Sequence, residues 1–267
     1  PLELLDRDRI LAATTGPAAA GIDDIAVFLE VDSTNNWLRQ QMLKGAPSGT
    51  VCVAERQCAG RGRRGRTWVS PFAANLYLSL LWRSASGAAA LGGLSLVTGI
   101  AVLRALRGYG IEDAGLKWPN DILVRDAKLA GVLIDVVGEA NGPCAVIVGI
   151  GVNVCMPPRE ASAIEQLWTD LYHLTGEDRL SRNVLAARLL DELMPVIEDF
   201  DAAGLQSFLD EWRRYDVLIG REVDLMLPNE YISGTARGID DGGALLVDTA
   251  HGCRRFVSGD VSVRVAS

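Results

Sequence analysis

Residues 60–66 read Gly-Arg-Gly-Arg-Arg-Gly-Arg, and no regular element suits them. Glycine weakens helix and strand interiors, while letting the backbone take positive φ and approach a ligand closely. The segment therefore reads as a flexible loop. Arginine is always cationic and presents a planar fork of donors matched to phosphate and carboxylate. The protein as a whole carries a net charge of -8. An acidic chain that gathers four arginines on one loop reads as an anion site, most simply for a nucleotide polyphosphate.

The remaining composition narrows the alternatives. With 267 residues, 49% apolar and 22% charged, the chain suits one large domain or one plus a small one. Its negative charge argues against a general nucleic-acid surface, which needs a spread-out basic face. Five cysteines lack any Cys-x-x-Cys pair, so they read as small buried thiols in a reducing, cytoplasmic setting. Two histidines, His173 and His251, are too few and too far apart for a histidine metal site or a Ser-His-Asp triad. No signal peptide is visible. The uncharged stretch between Arg83 and Arg104 reads as a buried helix over Leu91–Leu106 after a Ser/Gly-rich loop, not as a membrane span.

Periodicity and punctuation predict the elements. A short helix is expected over 2–14, ended by Thr14-Thr15-Gly16-Pro17. Strands are expected at 25–31, 50–55 and 75–82, with a helix from Asp32-Ser33-Thr34 to about Leu43. Residues 116–118 and 121–124 flank a Pro-Asn turn. Two apolar strands, 128–137 and 145–154, form a hairpin through residues 139–143. Short helices fall within 157–180, an amphipathic helix begins at Ser181 with a kink expected at Pro195, and a last helix covers 205–215. From about 219 the text changes to short strands (223–226, 231–239, 244–248, 254–257 and 261–265) of a small SH3-like barrel. The expected architecture is α+β: a mixed sheet with helices on one face in 1–218, where 1–24 is N-terminal helix and linker, then the small domain 219–267.

Four segments carry polar and glycine residues where core is otherwise expected. Asp32-Ser33-Thr34-Asn35 is either plain helix capping or a set of short groups for a polar ligand head. Gln57 to Ser70 holds the Arg/Gly loop and Trp68; it is a solvated loop, an RNA contact, or a phosphate loop in which arginines replace a Walker backbone. Lys117-Trp118-Pro119-Asn120-Asp121 with Lys128-Leu129-Ala130-Gly131 sets two lysines around a carboxylate. It reads as a surface ion pair, or as an anion site with Asp121 and Asn120 available to Mg²⁺. Gly149-Ile150-Gly151-Val152-Asn153 is a β-bulge or a close ligand approach. No covalent nucleophile is evident. Such residues can hold a carboxylate against an α-phosphate, which points to carboxylate activation by ATP through positioning and electrostatics.

In this order, and with Trp68-x-Ser70-Pro71 and Asn75-Leu76-Tyr77-Leu78-Ser79 between them, these segments resemble the biotin–protein ligases. The ordered set spans about 125 residues, and Gly234-x-x-Arg237-Gly238-Ile239-Asp240 extends the likeness into the small domain. The resemblance implies a class II synthetase-like core that makes biotinyl-5′-adenylate from biotin and MgATP, then acylates a lysine of a biotin carboxyl carrier protein. It implies that Ser33, Thr34, Asn35, Gln57, Gly60, Arg61, Gly62, Arg63, Lys128, Gly131, Gly149 and Gly151 contact biotin. Arg63, Arg64, Arg66, Trp68, Asn120, Asn153 and Arg264 fall to the nucleotide, and Asp121 to the metal. Lys128, Arg63 and Lys117 are the expected catalytic residues, with Lys128 bridging the biotin carboxylate and the α-phosphate. The Arg/Gly loop is expected to order over the intermediate.

The resemblance further implies homodimers through a sheet edge, which these residues do not themselves reveal. Bifunctional members add an N-terminal winged helix-turn-helix, which nothing here resembles. Residues 1–14 look like the segment that follows it, so a longer natural chain is expected, while the chain as given has no nucleic-acid or membrane partner. A lipoate or octanoyl transferase of the same fold, or a non-catalytic biotin-responsive regulator fragment, remains the alternative.

Overall fold

The structure is a computed structural model, and it describes residues 3–138, 142–176, 180–227, 230–257 and 262–265. The elements run α1 (Arg7–Ala13), α2 (Gly16–Gly21), β1 (Asp24–Phe28), α3 (Thr34–Leu43), β2 (Thr50–Ala54), β3 (Leu76–Ser84) and α4 (Leu94–Arg107). Next come β4 (Ala114–Lys117), β5 (Asp121–Val124), β6 (Ala127–Gly138), β7 (Cys144–Val152), α5 (Pro158–Ala161), α6 (Leu171–Thr175), α7 (Arg182–Ala203) and α8 (Leu209–Arg214). The strands β8 (Glu222–Met226), β9 (Tyr231–Ile239), β10 (Leu245–Thr249), β11 (Gly252–Phe256) and β12 (Ser262–Val265) complete the chain. Residues 139–141 of the expected hairpin turn, Leu2 of the first helix and Val261 of the last strand lie outside the described residues.

Strands β1–β7 form one mixed sheet in the order β1-β2-β3-β7-β6-β5-β4. Only β1 and β2 pair in parallel; β2–β3, β3–β7, β7–β6, β6–β5 and β5–β4 are antiparallel. The strand period of two sorts its side chains onto two faces. Val51, Val53, Leu76, Leu78, Leu80, Val146, Val148 and Ile150 face the main core, which also takes buried residues of α1, α2, α4 and α7. Those four helices fulfil the expected one-sided layer. Helix α3 departs from it: Leu38 and Met42 pack on Cys52, Leu81, Ala145 and Ile147 of the opposite face. Further along this second face the residues become small or polar, with Ser79 paired to Gly149, and Gly151 to both Tyr77 and Gly131. The half-covered face is where a site can form.

Several local expectations are corrected. Helix α1 starts at Arg7 because the Asp6 carboxylate caps it, accepting from Arg9 N at 2.9 Å. Gly16-Pro17 starts a helix instead of only ending one, since proline at the first turn loses no hydrogen bond. Helix α7 continues for 22 residues with Pro195 inside it. Leu193, Met194, Val196 and Ile197 are all buried around it, and that packing outweighs the local proline cost of about 3 kcal/mol. The stretch 205–215 is a 3-10 turn followed by α8.

One fully buried ion pair ties the N-terminal segment to the sheet. Arg182 Nη1 donates to Glu55 Oε2 at 2.6 Å and to the Asn75 carbonyl at 3.2 Å, and Nη2 donates to the Glu3 carbonyl at 2.5 Å. Glu55 Oε1 accepts from Leu5 N at 2.5 Å. Removing one partner of such a pair would strand a charge in the core, which typically costs about 3–5 kcal/mol.

The second sheet, β11-β10-β9-β8-β12, is antiparallel throughout. It is joined to the first by residues 215–217, which lie along β4: Leu116 N donates to Tyr215 O at 2.7 Å and Val217 N to Leu116 O at 3.0 Å. Trp118, fully buried, donates from Nε1 to the Gly243 carbonyl at 3.0 Å across the same junction.

Asp216 sits in this junction, 8% exposed. Its Oδ1 accepts from Leu218 N at 2.8 Å, but its buried Oδ2 has no partner. Burial pushes its carboxyl from 3.8 up to about 6, against the Leu218 amide. A raised acid binds its proton more tightly in the folded chain, so its contribution is complete below about pH 4 and is lost as pH rises through about 6. The unfolding free energy of the wild type minus that of Asp216→Asn should therefore fall between pH 4 and pH 7 in urea titrations. A difference that stays flat over that range would contradict the assignment.

Candidate active site

The site is built where the second face turns from apolar to small residues. Ser33, 2% exposed, precedes the first turn of α3 and makes no side-chain capping bond to it. Gln57 supplies the cap instead: its Oε1 accepts from Thr34 N at 3.0 Å and from Thr34 Oγ1 at 3.2 Å. Ser79 Oγ lies 2.7 Å from Thr34 Oγ1 and donates to Asn35 Oδ1 at 2.6 Å. Asn35 Nδ2 donates to Asp135 Oδ2 at 3.1 Å. These bonds fix the Asn35 amide, with its oxygen against Gly149, where any Cβ would collide with it. Of the residues expected to hold a polar ligand head, Thr34, Asn35 and Gln57 are thus wired with Ser79 into one network.

The floor is glycine for a steric reason. A Cβ on Gly151 would lie 2.5 Å from Trp68 Cε2, and one on Gly131 would meet Trp68 and Lys128 near 3.1 Å. The Trp68 indole therefore lies on the paired backbones of β6 and β7. Its Nε1–H is buried without an acceptor. Lys128 Nζ stands 5.2 Å from the ring centroid, within cation–π range.

The Arg/Gly loop is closed by its own backbone. Trp68 N donates to Gly60 O at 2.9 Å, and Gly62 N to Arg66 O at 2.7 Å. Its arginines then diverge. Arg61 pairs with Asp135 on β6, and Arg63 Nη1 reaches Asn120 Oδ1 at 3.4 Å. Arg64, in the left-handed region at φ 57°, donates to the Met226 carbonyl of β8 at 3.1 Å. Its guanidinium thus bridges to the second sheet.

Cations converge on the β4–β5 turn. Lys128 Nζ lies 2.6 Å from Asp121 Oδ1, with both side chains under 20% exposed. Burial lowers the Lys117 ammonium from its ordinary value; Asp121 opposes this, and Lys128, Arg66 and Arg264 reinforce it. Lys128, Arg66 and Arg264 thus all act on Lys117 at this turn, with Asp121 among them. The turn is held rigid by Trp118 and by Ser95, whose Oγ donates to the Pro119 carbonyl at 2.8 Å. Asn120 Nδ2 donates to Val132 O at 2.8 Å. Asn153 Nδ2 donates to the carbonyls of Lys128 and Thr169 at 3.2 and 3.1 Å, so its amide group braces the Lys128 backbone. Among the described residues, no three His, Cys, Asp or Glu side chains gather into a metal cage, and none of the helices is long and apolar enough to cross a membrane.

Asp135 was not expected at the site. Its signal is present in the text: one carboxylate on the period-two face of the apolar run 128–137. Ser79 was read only as part of a motif, yet it joins Thr34 to Asn35. Adding a methyl group at Gly151 tests the floor directly. Gly151→Ala should displace Trp68 and change the fluorescence emission, while the same substitution in a Trp68→Phe chain should leave emission unchanged. Identical spectra for Gly151→Ala and its parent would contradict this packing.

Known proteins resemble this chain. Residues 27–153 match the Biotin/lipoate A/B protein ligase family, and residues 218–264 match the Biotin protein ligase C terminal domain. The chain is 40% identical over 266 residues to the bifunctional ligase/repressor BirA of Escherichia coli, covering 100% of this chain and 80% of that protein. It is 36% identical to the biotin–[acetyl-CoA-carboxylase] ligase of Mycobacterium tuberculosis, covering 96% of this chain and 92% of the relative. The structure of the biotin protein ligase from Aquifex aeolicus in complex with biotin and ATP superposes with a TM-score of 0.77 at 31% identity, over 92% of this chain and 100% of that one. With its site geometry, its two matched regions and these relatives, the chain belongs to the biotin protein ligase family.

Proposed function

We propose that this chain is an ATP-dependent biotin–[acetyl-CoA-carboxylase] ligase. The biotin carboxylate attacks the α-phosphorus of ATP, the bond to pyrophosphate breaks, and biotinyl-5′-adenylate forms. A lysine amine of a biotin carboxyl carrier protein then attacks the acyl carbon, AMP leaves, and the amine loses a proton. The observation that carries this reading is the gathering of Lys117, Lys128, Arg66 and Arg264 about the turn that holds Asp121, beside the glycine floor.

Two anions must approach each other in the first step. Fixed cations on both sides remove that repulsion and favour the charge developing in the transition state, without any reorganisation at the moment of reaction. Lys128 moves from Asp121 to bridge the carboxylate and the α-phosphate. Arg63, Arg64, Arg66, Trp68, Asn120, Asn153 and Arg264 serve the nucleotide, and Lys117 regains a normal affinity for its proton once phosphate is beside it. Ser33, Thr34, Asn35 and Gln57, with the backbone of Gly60–Arg63, hold the biotin head over Gly131, Gly149 and Gly151 once the Trp68 indole, which lies on Gly131 and Gly151 here, swings off them to cover the nucleotide.

The residues fit Mg²⁺ as a guest of the nucleotide. That ion keeps several waters and phosphate oxygens and needs only one or two carboxylates, which Asp121 supplies next to Asn120. When bound, it would neutralise phosphate charge. The same proposal places the protein in the cytoplasm and divides it at 218/219. It also includes pairing of two copies along a sheet edge, where β1 is the outermost strand.

Mixing the protein with biotin and ATP should release pyrophosphate, and lipoate in place of biotin should not. Lys128→Ala should slow that release by roughly a hundredfold or more, as for loss of a transition-state electrostatic partner. Release that requires lipoate, or that persists in Lys128→Ala at near wild-type rate, would contradict the assignment.

A further inference from the structure

We propose that Asp135 is a positioning residue that couples recognition of the biotin head to closure of the Arg/Gly loop, with Arg61 as its latch. The inference deepens the ligase reading and rests on it. Asp135 lies on β6, opposite Ile147 of β7, outside every motif that marks the site. Its Oδ2 accepts from two donors at once: Asn35 Nδ2 at 3.1 Å and Arg61 Nη2. Asn35 belongs to the head-group wall, whereas Arg61 belongs to the loop. One oxygen therefore joins the wall to the lid.

The direction of the coupling follows from the hydrogen-bond inventory. Ser79 Oγ donates to Asn35 Oδ1, so the Asn35 amide has its acceptor side taken and its donor side turned to Asp135. A carboxylate is acceptor-only, which holds that orientation; a neutral amide at 135 would be free to flip and would lose the charge that holds Arg61. An exposed pair contributes little, but here Asp135 is 19% exposed and Arg61 38%, and the acceptor is anchored in a sheet. Arg61 is expected to meet biotin through its backbone, so its guanidinium is available for this bond. Arg64 pins the same loop to Met226 of the second sheet, leaving Arg63 and Arg66 between the two anchors. Loss of the Asp135 latch should thus loosen the biotin end of the loop and spare the nucleotide end.

The test compares the wild type with Asp135→Ala, Asp135→Asn, Asp135→Glu, Arg61→Ala and the Asp135→Ala/Arg61→Ala double variant. It reads KM for biotin, KM for ATP and the half-life of bound adenylate, with thermal melting to confirm folding. Asp135→Ala and Asp135→Asn should raise the biotin KM and shorten adenylate retention by about tenfold, with the ATP KM within about twofold. Asp135→Glu should recover most of both. The retention losses of Asp135→Ala and Arg61→Ala should not multiply in the double variant, because both break the same bond. If Asp135→Ala fails to fold, the near-isosteric Asp135→Asn and the surface variant Arg61→Ala carry the comparison. Variants equal to the wild type, equal rises in both KM values, or multiplying losses would overturn the proposal alone. A wild-type chain that forms no adenylate would overturn the ligase reading and this inference with it.

Discussion

The repulsion among Lys117, Lys128, Arg66 and Arg264 is the constraint on which the rest of this structure depends. Like charges gathered in a partly buried place repel one another, and Asp121, 2.6 Å from Lys128 Nζ, offsets that repulsion from within the cluster. No flexible surface would hold such a set together. Each cation is delivered by a different element: Lys117 by β4, Lys128 by β6, Arg264 by β12 and Arg66 by the Arg/Gly loop. The contacts between the two sheets, such as Trp118 with Gly243, therefore serve the charge cluster as well as stability. The Lys117 ammonium is held below its ordinary value first by burial, and its cationic neighbours add to that shift.

Placement of the cluster follows from the two-faced sheet. One face is sealed by α1, α2, α4 and α7, and the other only in part by α3. Where α3 begins, Thr34 and Asn35 of its first turn meet Gln57 and Ser79 rather than apolar residues. The glycine pair Gly131 and Gly151 then lets a flat ring lie on the backbone itself. Trp68 does so here with an unpartnered Nε1. The buried Glu55–Arg182 pair stands just upstream of Gln57 and fixes the end of β2 from which the loop departs. Core packing and site geometry are thus two uses of the same strands.

Much of this was legible before any coordinates. The strand expected over 75–82, found at Leu76–Ser84, and the apolar strands β6 and β7 follow from their pattern alone. The Arg/Gly loop could be nothing but a loop. What was illegible depends on tertiary context. Pro17 and Pro195 look alike as helix breakers, yet one opens α2 and the other is carried inside α7 by buried neighbours. The position of α3 on the second face needs the register of β2, β3 and β7. Asp135 looked like one polar residue in an apolar run, because its partners lie 74 and 100 positions away in sequence. The pairing of Lys128 with Asp121 was readable as a cluster but not as a bond.

The most direct test of the cationic cluster is a crystal structure of the protein with a non-hydrolysable biotinyl-adenylate analogue. Lys128 Nζ should leave Asp121 and lie within about 3 Å of a phosphate oxygen, with the biotin rings over Gly131 and Gly151 in place of the Trp68 indole. An analogue bound elsewhere, with Lys128 still paired to Asp121, would contradict the account.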